Sequence, residues 1–181
     1  GRGVLMNDKI EVTFTTTETG RQRMSPICME DRNSVFEIFS NEILMKPYGM
    51  FPIEDIEKAS EFTQRLIEDR EFAIVLKDEN KVIGTLGFVD YNKYNSRAEI
   101  AFEMMEDYWN KGLMSEAVSV LLNIGFVDLN LNRIEAFIYP SNLASQRLVE
   151  KLGFQKEGLL KKRSFQRGKY RDMIIYGLVV E

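Results

Sequence analysis

The chain has 181 residues, of which 44% are apolar, 11% aromatic and 29% charged, and its formal net charge is −4. That composition is too apolar for disorder, and the length suffices for one well-packed core. A single cysteine, Cys28, excludes a disulfide scaffold, and the lack of histidine excludes Ser-His-Asp and Cys-His triads and histidine metal sites.

In chain order, Gly1-Arg2-Gly3 reads as a cloning remnant and Met6 as a natural start. Residues 1–8 are expected to be disordered or vector-derived, ahead of one domain over 1–181. Thr13 to Thr17 suit a short opening strand. A helix follows Asp31, with Val35, Phe36, Ile38 and Phe39 on its apolar face. Pro47, Gly49 and Pro52 break the chain. Ile56, Ala59, Phe62, Leu66 and Ile67 predict a second helix over 53–68.

Residues 72–76 and 82–89 read as strands joined by an Asp78-Glu79-Asn80 turn. Residues 98–105 alternate, with Ala98, Ile100, Phe102 and Met104 on one face and Glu99, Ala101, Glu103 and Met105 on the other. A strongly apolar helix is predicted over 112–127 and a strand over 133–139. Asn142 caps a helix ending at Leu152, and Gly153 supplies a left-handed stop. Strands over 154–159 and 169–180, joined through Gln166-Arg167-Gly168, complete the chain. The order α-α-β-β-β-α-β-α-β-β predicts an α/β domain with a mixed sheet flanked by helices.

Without histidine, acid and base work falls to carboxylates, hydroxyls, lysine or water. The negative charge points away from nucleic acid as a partner. No apolar run approaches the ~20 residues of a membrane span, and the first residues lack the apolar core of a signal peptide. With a lone thiol, these features suit the cytoplasm.

Two segments carry chemistry. The stretch from Tyr108 to Ala117 places Gly112 where a strand turns into a helix. Such a junction offers free backbone N–H groups to a phosphate, with Lys111 nearby; a plain tight turn explains it equally well. Neither the P-loop nor the dinucleotide pattern occurs. In the second segment, Asn142 and Ser145 share the first turn of one helix. They serve either as a cap or as ligand contacts.

Together these residues resemble the GNAT superfamily of acyl-CoA-dependent N-acyltransferases, and more closely its RimJ/RimL type. The resemblance rests on Ala98-Glu99, Trp109-Asn110-Lys111-Gly112, Ser115-Glu116-Ala117, Asn142 to Ser145 and Glu150 to Gly158, in that order. It implies a GNAT fold, with a mostly antiparallel twisted sheet whose central strands splay around acyl-CoA. It implies acetyl-CoA as co-substrate, no metal, and direct attack of a primary amine on the thioester. Phe102, Glu103 and Met104 would lie along the pantetheine arm. Trp109, Asn110, Lys111, Gly112, Leu113, Met114 and Ser115 would form the pyrophosphate loop. Asn142 and Ser145 would sit near the sulfur, and Lys151 near the nucleotide.

This chain also departs from the family pattern. Met114 stands where the motif has Gly or Ala, and Trp109 where it has Gln or Arg. Val149 occupies the place of the usual general-acid tyrosine, and Ser164 that of a glutamate base in some RimL-type enzymes. Ser145 remains as the donor to the thiolate. Glu103 and Glu99 remain as bases acting through water, or else as paired strand carboxylates.

The resemblance points to the N-terminal α-amine of a protein, such as a ribosomal protein, as acceptor. The alternatives are a polyamine-like small amine, or an acyl-CoA-binding module without catalysis. Residues 30–71 carry eleven acids and five bases, whereas residues 141–181 carry nine bases and four acids. If the first helices border the acceptor, they would attract a cation. Phe and Met residues near the last strands suit a homodimer contact.

Overall fold

The computed structural model describes residues 8–181. The expectations for residues 1–7 lie outside the described residues. Asp8 is held in place, its N–H donating to Tyr91 O at 2.9 Å and its carboxylate accepting from Lys93 N at 2.8 Å. Among the described residues, no helix is long and apolar enough to cross a membrane.

Eight strands form one sheet: β1 (Thr17–Glu18), β2 (Gln22–Pro26), β3 (Phe72–Leu76), β4 (Lys81–Asn92), β5 (Arg97–Met104), β6 (Arg133–Ile138), β7 (Gln155–Gln166) and β8 (Lys169–Val179). Their spatial order is β1-β2-β3-β4-β5-β6-β8-β7. All neighbours run antiparallel except β5 and β6. The helices are α1 (Arg32–Phe39), α2 (Glu42–Met45), α3 (Ile56–Glu68), α4 (Leu113–Asn123) and α5 (Leu143–Lys151).

The alternation of β5 divides the core. Its even residues join Leu113, Ala117, Val118, Leu121 and Val149 in one cluster beneath α4 and α5. On the opposite face Val35, Ile38, Phe39, Leu44, Met45, Leu66 and Ala73 form a second cluster under α1, α2 and α3, reached from β5's end by Met105. The predicted mixed sheet flanked by helices is therefore present.

Several boundaries differ from the sequence reading. The opening strand is Thr17–Glu18 rather than residues 13–17. The pairing partner of β3, Gln22–Pro26, was unforeseen, because Gln-Arg-Met-Ser-Pro has no apolar alternation and becomes a strand by pairing with β3. The helix α3 starts at Ile56 because the Asp55 carboxylate accepts from Lys58 N at 2.8 Å and caps it there. The predicted helix over 112–127 ends as α at Asn123 and continues as a π turn, Ile124–Asp128. β7 runs on to Gln166, well past the expected end at 159. Of the apolar residues near the last strands, Phe165 is exposed, whereas Met173 and Phe154 are buried.

Gly84 of β4 lies opposite Met104 of β5. A methyl there would stand 2.4 Å from the Glu103 carbonyl oxygen and 3.2 Å from Met104 Cα, both backbone atoms. Gly84→Ala is expected to cost about 1–3 kcal/mol by overpacking. A urea melt with a lower midpoint and unchanged slope would register it.

Candidate active site

β5 and β6 pair over only three positions, Arg97↔Arg133, Ala98↔Ile134 and Glu99↔Glu135. Beyond Glu99 they part. Each keeps its outer partner, β5 pairing with β4 to Met104 and β6 with β8 to Ile138. The Met105 N–H donates to Ile83 O at 2.8 Å. Odd residues at this end of β5 therefore spend their backbone groups on β4, and the even residues Ile100, Phe102 and Met104 turn theirs toward the gap.

The gap opens as a cleft of about 490 Å³. Ile100, Ala101, Phe102 and Glu103 form one wall, and Ala136, Phe137, Ile138 and Tyr139 the other. Asn142 and Ser145 line it from α5, Met173 from β8, and Pro47, Tyr48 and Met50 from the loop after α2. By strand alternation, Ala101, Glu103, Phe137 and Tyr139 belong to the face of α1–α3. Ser145 belongs to the helix packed on the opposite face. The cleft thus passes between the two faces of the sheet.

Glu103 is the only charged lining residue among the described ones. It is 1% exposed, and the Thr85 hydroxyl donates to its Oε2 at 3.1 Å. Glu99 lies where the ladder is intact and does not line the cleft. Burial pushes its carboxyl above the ordinary range, and the nearby Asp90 and Glu135 charges add to the rise. The two glutamates of one strand face thus occupy different settings.

Asn142 acts as the cap that the sequence allowed, its Oδ1 accepting from Ser145 N at 3.2 Å. The same turn places both residues in the cleft wall. Lys151 is exposed at the far end of α5. Val149, in the place of the family's tyrosine, is fully buried in the core and carries no proton donor.

At the start of α4, Gly112 adopts φ 74° and Asn110 φ 61°. This left-handed turn points the opening N–H groups of Leu113, Met114 and Ser115 out of the helix end. Lys111 Nζ lies 5.6 Å from the Tyr108 ring centroid, and Met114 packs partly against the core. Trp109 donates its indole N–H to Met104 O at 2.6 Å. It therefore ties the loop to β5 and engages one of the carbonyls turned toward the gap, leaving Phe102 as the more open backbone site.

Sequence reasoning missed the supports of this loop. Glu116 Oε2 accepts from Thr19 Oγ1 at 2.7 Å and Gln22 Nε2 at 2.6 Å, and Glu116 Oε1 pairs with Arg21 Nε at 3.3 Å. Arg21 also donates to Lys111 O at 2.9 Å. Burial opposes the Glu116 charge, but the bonds from Gln22, Thr19 and Arg21 outweigh it and hold the carboxyl below its usual value. Tyr139 was read only as a strand end; its phenol shares a 3.0 Å hydrogen bond with the Ser164 hydroxyl. No local pattern marks either set, since their partners lie far apart in the chain.

A depressed carboxyl stabilises the fold above its unfolded-state value, and that contribution is lost as pH falls. Glu116→Gln should cost about 1–2 kcal/mol at pH 7. The gap from wild type should close as pH drops below about 4.3. Thermal melts at several pH values would follow it.

Comparisons with known proteins agree with this geometry. Residues 21–155 match the acetyltransferase (GNAT) domain. The chain is 35% identical over 172 residues to the uncharacterized N-acetyltransferase YoaA of Bacillus subtilis, covering 92% of this chain and 97% of that one. It is 28% identical to the spermidine N(1)-acetyltransferase of Escherichia coli, covering 84% and 82%. A GNAT-family acetyltransferase from Bacillus anthracis superposes with a TM-score of 0.83 at 27% identity, covering 91% and 98%. The parted central strands, the left-handed glycine opening α4 and the family match lead to one conclusion: this chain belongs to the GNAT family and is an N-acetyltransferase.

Proposed function

We propose that this enzyme transfers acetyl from acetyl-CoA to the α-amine of a polypeptide, in the manner of the RimJ/RimL type. The observation that carries the reading is the acceptor side of the cleft. It is walled by Tyr48, Met50, Phe137 and Tyr139, and Glu103 is its only charged lining residue among the described ones. One carboxylate matches one ammonium. A polyamine would leave its further charges without partners and would meet Arg163, whose guanidinium lies 5.5 Å from the Phe137 ring centroid. The acidic first helices do not supply a second carboxylate to the cleft. Glu42, at its border, is already paired with Arg167 at 2.6 Å.

The residues fit acetyl-CoA. The N–H groups opening α4 suit a pyrophosphate, and the unpaired edge of β5 suits the amides of a pantetheine arm. The acceptor nitrogen bonds to the thioester carbonyl carbon while the C–S bond breaks. The Phe102 N–H, turned toward the gap, stabilises the oxyanion. Glu103 takes the proton from the amine through water. The Ser145 hydroxyl, on the opposite side of the sheet, donates to the departing thiolate. Because an α-amine titrates near 7.7–8.0, part of it is already unprotonated at neutral pH and little basic help is needed. Glu99 supports the strand beneath the closed end.

Ser145→Ala should lower kcat by roughly 10²-fold with little change in acetyl-CoA affinity, measured by steady-state kinetics and calorimetry. Glu103→Gln should lower kcat similarly. Unchanged turnover in either variant would remove its assigned role. The acceptor is tested by one competition read by mass spectrometry, with Ala-, Ser- and Met-starting peptides, spermidine and free amino acids. Acetylation of peptide α-amines is expected. Acetylation of spermidine alone would overturn the reading.

A further inference from the structure

We propose that the outer surface of the β7–β8 hairpin is a docking site for the acceptor polypeptide, selecting acidic residues downstream of the acetylated one. The proposal rests on polypeptide α-amine acetylation and extends it to the sequence of the acceptor.

The hairpin ends the sheet, and among the described residues β7 has no strand on its outer side. Lys161, Lys162, Arg163 and Lys169 are exposed along it. Among the described residues, none of the four has a carboxylate within ion-pair distance. The nearby acids are already engaged. Glu157 accepts from Arg133 at 2.6 and 3.0 Å, and Asp172 accepts from the Lys162 backbone N–H at 2.8 Å. Asp172 keeps its charge, so among the described residues the four cations of the hairpin outnumber the acid beside them.

Two aromatics stand at the tip of the hairpin, on the face opposite Ser164 by strand alternation. Phe165 and Tyr170 are 60% and 68% exposed and contact each other with ring centroids 4.9 Å apart. The surface offered to the peptide is the basic bulge at 161–163.

This surface is continuous with the acceptor side of the cleft. Arg163 lies over Phe137, and Ser164 is bonded to Tyr139, both of which line the cleft. A peptide with its α-amine at Glu103 leaves the cleft along these residues. Residues downstream of the acetylated one would then pass Arg163, Lys162 and Lys161. Acidic side chains there would find partners, and basic ones would be repelled. RNA is the other polyanion that basic and aromatic groups attract. The protein's net charge of −4 and the continuity with the cleft favour the peptide.

Three fluorescent peptides would be compared by anisotropy, alike in their first two residues and carrying acidic, neutral or basic residues from the third to the eighth. The acidic peptide should bind about tenfold tighter than the neutral one, by a few exposed pairs acting together. The difference should vanish near 0.5 M salt, where screening is nearly complete. The double variant Lys161→Glu/Lys162→Glu, checked for an unchanged melting temperature, should reverse the order. Equal affinities at low salt would overturn the proposal. So would a single-stranded RNA that binds while the acidic peptide does no better than the neutral one. Acetylation of the same peptides tests the parent reading separately. Mass gain at equal rates on all three, with equal affinities, would keep α-amine acetylation and reject docking. No gain on any peptide beside acetylated spermidine would reject α-amine acetylation, and the docking proposal with it.

Discussion

The molecule depends on a ladder that stops. Two neighbouring strands in the middle of an otherwise antiparallel sheet run parallel, hold together at three positions, and then diverge. Buried backbone groups need partners, and a gap in a sheet exposes a row of them at a fixed spacing. Such a gap persists because each strand stays committed on its other side, β5 to β4 and β6 to β8. The same gap opens both faces of the sheet to one another. In the proposed reaction, a co-substrate arm from the α4–α5 side would meet an amine from the α1–α3 side within it.

The walls of the gap are fixed by ties between distant segments. Glu116 gathers Thr19, Arg21 and Gln22 and so anchors the loop that opens α4. Arg167 reaches from the β7–β8 turn to Glu42 and to the Met50 carbonyl, and its guanidinium lies 4.9 Å from the Phe51 ring centroid. Met50 lines the cleft, so the hairpin and the loop after α2 are held as one wall. Exposed ion pairs of this kind add little to stability. Their effect is geometric: each joins segments that are distant in the chain.

Carboxylates on one strand face illustrate how position decides chemistry. Glu99, Glu103 and Glu135 are all buried. Glu135 is neutralised by Arg97 and Arg133, both at 3.1 Å. Glu99 lies beside it, under the intact ladder, where burial disfavours its charge. Glu103 alone reaches the cleft, held by Thr85. The two faces of β5 were legible from alternation, and the family resemblance set Glu103 nearer the thioester than Glu99; the enclosure of Glu99 under the ladder depends on where β6 departs.

Local patterning sufficed for much of this protein. Alternation in 98–105, the apolar stripe of α4 and the Asn142 cap are nearest-neighbour effects, written in adjacent residues. The run of residues from Trp109 through Gly158 pointed to the family for the same reason: its turns and helix ends are set by the chain itself. Tertiary structure alone decided the rest. Gln22–Pro26 became a strand only because β3 offered an edge. The Trp109 indole found the Met104 carbonyl because the β5 end lies beside it. Tyr139 gained a role through Ser164, and the acids of residues 30–71 were left outside the cleft. In each case the deciding partner is distant in sequence, and its influence exists only once the chain has folded.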